Sequence, residues 1–405
     1  MSKCLICDHP IEPFISFGRM PIANGFLTPD QFAAEPFFEL ATGFCDHCKM
    51  VQLTELVDPR KMFHEHYPFF SSTSSRMASH FRSLAEHIKA RHLGADPFVV
   101  EIGSNDGILL KHFASAGIRH LGIEPSANVA AVARANGVNT IGEFFSEPVA
   151  RRIVAEHGHA DVFVGANVMC HIPTMHNVVA GIATLLKPSG VLILEDPYLG
   201  DIIESTSYDQ IYDEHAFYFS MTALDHVFMR HGFEIIDVHP QATHGGSMRY
   251  TVGRTGAHQV SDATARQRQK ERALGLGEAA TYDMFRKRVE QSRVDLMALL
   301  RRVGSEGKRV IGYGATSKST TVINYCGISP DLIEFITDTT PIKQGKFSPG
   351  AHIPIKPPSQ FRAPYPDYAL LFAWNHADEI KANETAFVQS GGRWVRYVPQ
   401  VTIEM

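Results

Sequence analysis

Residues 96–117 read DPFVVEIGSNDGILLKHFASAG, and the fold is decided there. Val99 to Ile102 form a short apolar run of the kind that makes a buried strand. Gly103 and Gly107 permit a tight turn that a ligand can approach closely, and a helix is expected to follow with its amino end turned toward that ligand. The turn does not fit GxGxxG, because position 105 is Asn and position 108 is Ile, which disfavours a dinucleotide site. A nucleoside-type ligand remains.

Outward from this turn the pattern repeats. A helical stretch precedes it, ending near Arg91. HLGIEPS (120–126) is a second strand ending in Glu124, placed to accept hydrogen bonds from ribose hydroxyls; the alternative is a charge at a helix amino end before Pro125. DVFVGANVMCHIPTMHNVV (161–179) reads as a fourth strand and loop, and ATLLKPSGVLILEDP (183–197) as helix, turn and fifth strand. GFEIIDVHPQATHGGSMRYTV (232–252) gives two strand-like runs flanking HPQATHGGS, an antiparallel hairpin that closes the sheet and brings Thr243 to Ser247 to its carboxyl edge, where ligands of open α/β sheets bind.

The chain has 405 residues, too many for one compact core by the usual size of about 100–200 residues per domain. Its 44% hydrophobic and 20% charged residues are ordinary for a globular protein. A net charge of -5 gives no general attraction to phosphate backbones or anionic lipid, which argues against nucleic acid and membrane partners. No apolar run of about 18 residues is present, and MSKCLICDHP lacks the basic and apolar parts of a signal peptide. A cytoplasmic location is expected, with the six cysteines reduced.

Four of those cysteines form two pairs, Cys4 and Cys7 in CLIC and Cys45 and Cys48 in CDHC. Each CxxC turn lets two thiolates meet one zinc ion, and two turns complete a closed structural site. His9 and His47 are rival ligands ranked below the cysteines. The long gap between the pairs implies an intervening loop or small sheet, and Cys170 and Cys326 read as packing residues. A zinc module alone would suit a scaffolding protein.

Residues 211–220, IYDEHAFYFS, put Asp213, Glu214 and His215 among aromatic rings. Phe217 and Phe219 alternate as in a half-buried strand, and the alternative to a chemical role is that the titratable groups are solvated in the turn before it. Residues 256–308 are charged and helical in pattern, a bridge to a second strand, glycine turn and helix in KRVIGYGATSKSTTVINYCG (308–327). EFITDTT and DYALLFAWN supply further strands, so a smaller Rossmann-like domain is expected. Its loop is not a Walker motif. Gly314, Ser317, Lys318 and Ser319 at a helix start suit an anion, with a domain kept for packing as the alternative.

The strand order, the acidic residue after the second strand and the LKPSG turn resemble class I methyltransferases dependent on S-adenosylmethionine. Taken with the paired CxxC module, HYPFFSSTS, EIGSNDG, NVMCHI, YDEHAFYFS, HGGSMR, GYGATSKSTT and KQGKFSPGAHIPI, the chain resembles over nearly its whole length the C-methyltransferases of nucleotide-linked deoxysugar biosynthesis. That resemblance implies methylation at C3 of a 4-keto-6-deoxy sugar on a nucleoside diphosphate. It also implies that His215 of the YxEH motif is the base, with Tyr212, Glu214, His171 and Tyr67 facing the substrate. Glu101, Gly103, Asn105, Asp106, Gly107, Glu124 and Asn167 are the candidates for holding S-adenosylmethionine, although Ser104, Asn105 and Asp106 depart from the common glycine-rich loop. Asp106 would reach the cofactor's amino group or cap the next helix.

The chemistry agrees. A ketone at C4 acidifies the C3 proton, so a neutral imidazole near physiological pH can remove it. The enolate oxygen then needs a donor, for which Tyr212 and His171 are suited. Glu214 would orient an imidazole or hold a sugar hydroxyl, and the zinc would be structural. The expected architecture is α/β: a zinc-binding module (1–75), a central methyltransferase sheet (76–255), and a helical bridge with the smaller Rossmann-like domain (256–405), working as a monomer. The rival readings are an O-methyltransferase acting on a sugar or natural-product hydroxyl and an NAD-dependent sugar oxidoreductase using the GYGATS domain.

Overall fold

The computed structural model describes residues 2–58 and 71–405. At the amino terminus the two CxxC turns fold as twin knuckles. In the first, Cys4 N donates to His9 O and Asp8 N to Cys4 O; in the second, Cys45 N donates to Met50 O and Lys49 N to Cys45 O. Asp8 and Lys49 close them with φ of 61° and 62°. The gap between the pairs is filled by strands Pro13–Pro21 and Phe37–Phe44, which with Val51–Leu53, just past the second pair, make the small sheet that the spacing implies. A fourth strand of this sheet comes from far along the chain. Phe217–Tyr218, directly after YDEH, pairs antiparallel with Val51 and Gln52.

Among the described residues, seven strands make the central sheet, in the order Thr140–Ile141, Arg119–Ile123, Phe98–Ile102, Ala160–Ala166, Leu186–Pro197, Ser247–Arg254, Phe233–Gln241. The first five run parallel, and the last two form the antiparallel hairpin. Phe98–Ile102 is buried at every position, as an interior parallel strand must be. Helix Ser75–Arg91, capped by the Ser74 side chain on Met77 N, lays Leu84, Ala85 and Ile88 against Val99 and Phe113. The helix expected after the glycine turn is short, Lys111–Ala114. Left-handed residues at Asn105 (φ 48°) and Gly107 (φ 81°) keep 105–110 in turns, so no long helix points its amino end at the loop. The KPSG turn is also altered: helix Met175–Leu185 runs directly into the fifth strand, whose register shifts between Leu186 and Val191.

Helices Asp262–Leu274 and Ala279–Ser305 bridge to a sheet ordered Ile355–Lys356, Ile336–Thr337, Val310–Tyr313, Tyr368–Leu371, Arg393–Arg396, Thr402–Glu404, parallel except for its last strand. One apolar core runs through all three regions. Its polar clasp is Asp209, whose Oδ2 accepts from Trp374 Nε1 at 2.6 Å and from the Tyr397 hydroxyl at 2.7 Å. The segment leading into YDEH is therefore fixed by the carboxyl-terminal domain.

Candidate active site

The carboxylates and imidazole of YDEH are not solvated: Asp213, Glu214 and His215 are 3%, 6% and 5% exposed. The turn is enclosed because its flanks are claimed by two other regions, Asp209 by the carboxyl-terminal domain and Phe217–Tyr218 by the amino-terminal sheet. His215 Nδ1 lies 2.9 Å from Gln210 O and Nε2 lies 2.9 Å from the Tyr212 hydroxyl. A carbonyl oxygen can only accept, so Nδ1 carries the proton and Nε2 presents its lone pair to Tyr212. The His171 ring meets His215 edge-on at 5.1 Å. Burial pushes His215 well below the usual histidine range, with His171 adding to the effect, and burial brings His171 down to about 4. Both rings are neutral near physiological pH.

The Glu214 carboxylate is bound from the amino-terminal module. Its Oε1 accepts from Asn24 Nδ2 at 2.6 Å, and Asp213 Oδ1 accepts from Ala23 N at 2.9 Å. Burial raises both carboxylates above the usual range, and the charge of Asp213 raises Glu214 further, opposed by Asn24 and Lys343. No local signal marks Asn24, which lies 190 positions from Glu214. Asp196 was also missed. It ends the fifth strand beside the Cys170 thiol, wholly buried, and burial pushes it up to about 8. Its place in LEDP, at the carboxyl end of a parallel strand, was the available clue. Tyr67 lies outside the described residues.

The cofactor candidates gather at the same carboxyl edge of the sheet, where the strands Phe98–Ile102, Arg119–Ile123 and Ala160–Ala166 end. Glu124 Oε2 accepts from Asn105 N and its Oε1 from Ser126 N, so the second-strand carboxylate braces the glycine turn. Asn105 Oδ1 accepts from Ser71 N, and Asp106 holds Ser72 through its backbone N–H and hydroxyl. Asp106 thus fixes the start of the SSTS stretch in this arrangement. Glu101 is 3% exposed and raised by burial and by Glu124; its Oε2 and the buried Oδ1 of Asn167 have no partner among the described residues. Unpartnered buried polar atoms beside a close-approach glycine fit a polar nucleoside ligand. Gly103 has φ 61°, and a β-carbon there would lie 2.4 Å from Val168. Gly103→Ala is expected to weaken S-adenosylmethionine binding at least about tenfold, from roughly 1–3 kcal/mol of backbone strain plus displacement of Val168. Calorimetry checks this, and an unchanged dissociation constant would refute the role of the turn.

In the knuckles, Cys4 Sγ lies 3.4 Å from Cys48 Sγ, and Cys7 Sγ lies 3.4 Å from Cys45 Sγ. All four sulfurs fall within 4.8 Å of one another, which fits a tetrahedral zinc with bonds of about 2.3 Å. His9 and His47 stack on each other at 3.8 Å beside this cluster.

The anion candidates of the carboxyl-terminal loop are engaged with the neighbouring regions. Lys318 Nζ donates to His244 O at 2.9 Å and sits over the Trp374 ring, and Ser317 donates to Asn24 Oδ1. Thr316 caps Ser319 N, and the Ser319 hydroxyl returns to Thr316 O.

Comparison with known proteins places this geometry. Residues 4–63 match the sequence family described as "Putative zinc binding domain", 77–238 match "Methyltransferase domain", and 242–399 match "C-methyltransferase C-terminal domain". The chain is 37% identical over 404 residues to C-methyltransferase NovU of Streptomyces niveus, covering 99% of this chain and 96% of that protein. It belongs to the C-methyltransferase family. The methyltransferase depends on S-adenosylmethionine and carries its zinc on Cys4, Cys7, Cys45 and Cys48. It is also 34% identical over 94 residues to the ubiquinone biosynthesis O-methyltransferase of Burkholderia thailandensis, covering 23% of this chain and 40% of that one. The magnesium protoporphyrin IX methyltransferase of Synechocystis PCC 6803, solved with bound SAM, is 17% identical, covering 44% of this methyltransferase and 79% of that chain with a TM-score of 0.33. Among the described residues, no helix of the methyltransferase is long and apolar enough to cross a membrane.

Proposed function

We propose that this C-methyltransferase acts on C3 of a 4-keto-6-deoxy sugar carried on a nucleoside diphosphate, through an enolate formed by His215, as a cytoplasmic monomer. The observation that carries the reading is the ordered tautomer of His215: Nδ1–H on Gln210 O leaves Nε2 as a buried, neutral acceptor beside the Tyr212 hydroxyl. Nε2 takes the C3 proton. Tyr212 and His171 donate to the oxygen at C4 as it gains charge, in a water-poor site where such donors count most. Glu214 holds a sugar hydroxyl, and Tyr67 faces the sugar from the HYPFF stretch. Bound S-adenosylmethionine supplies the electrophilic methyl group, for which Glu101, Gly103, Asn105, Asp106, Gly107, Glu124 and Asn167 form the cradle. The knuckle cysteines stay outside the chemistry.

The test is mass spectrometry of a nucleotide 4-keto-6-deoxysugar incubated with enzyme and S-adenosylmethionine, with a parallel incubation in deuterated water lacking the cofactor. A product one methyl heavier, with deuterium entering beside the ketone in the control, supports the reading. Binding of S-adenosylmethionine with neither signal would overturn the substrate and move attention to hydroxyl acceptors.

The pH dependence follows from which groups are shifted. His215 is held so far down that its protonation lies below the working range, whereas Asp213 and Glu214 are raised. A raised carboxylate becomes protonated as pH falls through its elevated pKa. The acid limb of kcat/KM is therefore expected above the ordinary carboxylate range and to belong to this pair. A profile flat down to the pH where free carboxylates titrate would contradict the assignment.

A further inference from the structure

The loop PIANGF (21–26) leaves the strand Pro13–Pro21 of the zinc module and enters the space between YDEH and the helix Ser317–Cys326. Four hydrogen bonds tie it there. Two hold carboxylates: Ala23 N to Asp213 Oδ1 at 2.9 Å, and Asn24 Nδ2 to Glu214 Oε1 at 2.6 Å. Two come from the carboxyl-terminal helix: the Ser317 hydroxyl to Asn24 Oδ1 at 3.0 Å, and the Thr320 hydroxyl to Ala23 O at 2.9 Å. The same helix reaches YDEH directly, through Thr321 Oγ1 on Ile211 O at 2.7 Å.

The directions of these bonds carry the argument. An amide has one face that accepts and one that donates, and rotation of its plane by half a turn would present oxygen to a carboxylate. An ionised Glu214 can only accept, so the NH2 points at it and Oδ1 is left to take the Ser317 hydroxyl proton. We infer that Asn24 is a positioning residue whose amide, steadied by Ser317, keeps Glu214 a hydrogen-bonded carboxylate in the reacting centre. A side chain of the zinc module thereby sets the state of a group in the methyltransferase site, supported by a hydroxyl from the third region. This rests on the reading of Glu214 as part of the reacting centre.

Without the amide, little favours the charged form. Glu214 is faced within its own turn by Asp213, Tyr212 and His215, by Cys170 and His171 from the fourth-strand loop, and by Lys343 from the carboxyl-terminal domain. Both histidines are pressed toward neutrality, and Asp213 disfavours a second negative charge. Lys343 is the opposing cation, and its ammonium is bound to Ala315 O. Loss of a hydrogen bond to a buried carboxylate shifts its titration upward by about one pH unit or more.

The test uses the full-length, zinc-loaded enzyme and its Asn24→Ala, Asn24→Asp and Ser317→Ala variants. For each, kcat/KM is followed against pH, and the side-chain carboxyl carbons of 13C-labelled glutamate are titrated by NMR in the resting protein, with Glu214→Gln giving the assignment. In Asn24→Ala the acid limb and the Glu214 resonance are expected to move together to higher pH by about one unit or more, with kcat/KM recovering toward the wild-type plateau on the alkaline side. Asn24→Asp, which replaces a donor by a charge, moves them further. Ser317→Ala moves them the same way by less, because the amide then loses the bond that steadies its donor on Glu214.

A uniform loss of kcat/KM at all pH values, with an unmoved limb and resonance, would mean that Asn24 only packs, and would overturn the inference. If Asn24→Ala no longer binds zinc or S-adenosylmethionine, Ser317→Ala decides. The NMR titration needs no sugar, so a wild-type enzyme that methylates no sugar overturns the substrate reading while the behaviour of Glu214 is still read.

Discussion

His215→Asn is expected to lower methyl transfer roughly a thousandfold, within the range of about 10²–10⁴ that general acid–base catalysis contributes. Asparagine keeps an N–H for Gln210 O but has no nitrogen lone pair to offer at the position of Nε2. The substitution therefore removes the proton acceptor while leaving the bond that anchors the turn. Exchange of the C3 hydrogen with solvent deuterium in the absence of S-adenosylmethionine should fall in the same proportion, because on the proposed chemistry it uses the same atom. Zinc content and cofactor binding should be those of the wild type. Near-wild-type turnover would remove His215 from the role of base, whereas loss of turnover with exchange intact would place the residue after enolate formation.

Cys4→Ser or Cys45→Ser should produce an equally large effect by another route. Structural zinc sites contribute about 10–16 kcal/mol of apparent binding free energy, comparable with or larger than the total stability of about 5–15 kcal/mol of an ordinary domain. With one ligand gone the twin knuckles are not expected to hold, and the metal should be lost. The damage should spread to the chemistry, because the loop emerging from this sheet holds Asp213 and Glu214, and the sheet itself includes Phe217–Tyr218. Metal analysis by plasma emission, thermal unfolding and turnover should all fall together. Full zinc stoichiometry in both variants would mean that other ligands hold the ion, with His9 and His47 the next to be replaced.

What could be read from the residues divides along physical lines. The strand at Val99, the hairpin around HPQATHGGS and the second α/β unit announce themselves because apolar runs and glycine turns are local properties of the chain. The zinc cluster was legible for the same reason, since each CxxC is its own knuckle. The enclosure of YDEH was not. Local pattern leaves Asp213, Glu214 and His215 open to reading as solvated turn residues; they are enclosed through Asn24 on Glu214 and through Trp374 and Tyr397 on the preceding Asp209, which no local pattern links to the turn. A helix with its amino end at the glycine turn is expected from the residues, but the helix begins only at Lys111, because left-handed backbone at Asn105 is invisible in residue types. The carboxyl-terminal loop showed the right residues for an anion, and the structure directs Ser317 and Lys318 toward Asn24 and His244.

The strand Phe217–Tyr218 gives the molecule a division in space that differs from its division along the chain. Recombination between relatives that exchanged only the first stretch of the gene would join a foreign sheet to a resident edge strand, with Gln52 and Val51 facing partners they did not diverge alongside. A viable chimera would need to inherit residues 211–220 together with the knuckles, as two separate inserts. Laboratory shuffling of these enzymes should therefore recover active hybrids far more often when both segments come from the same parent.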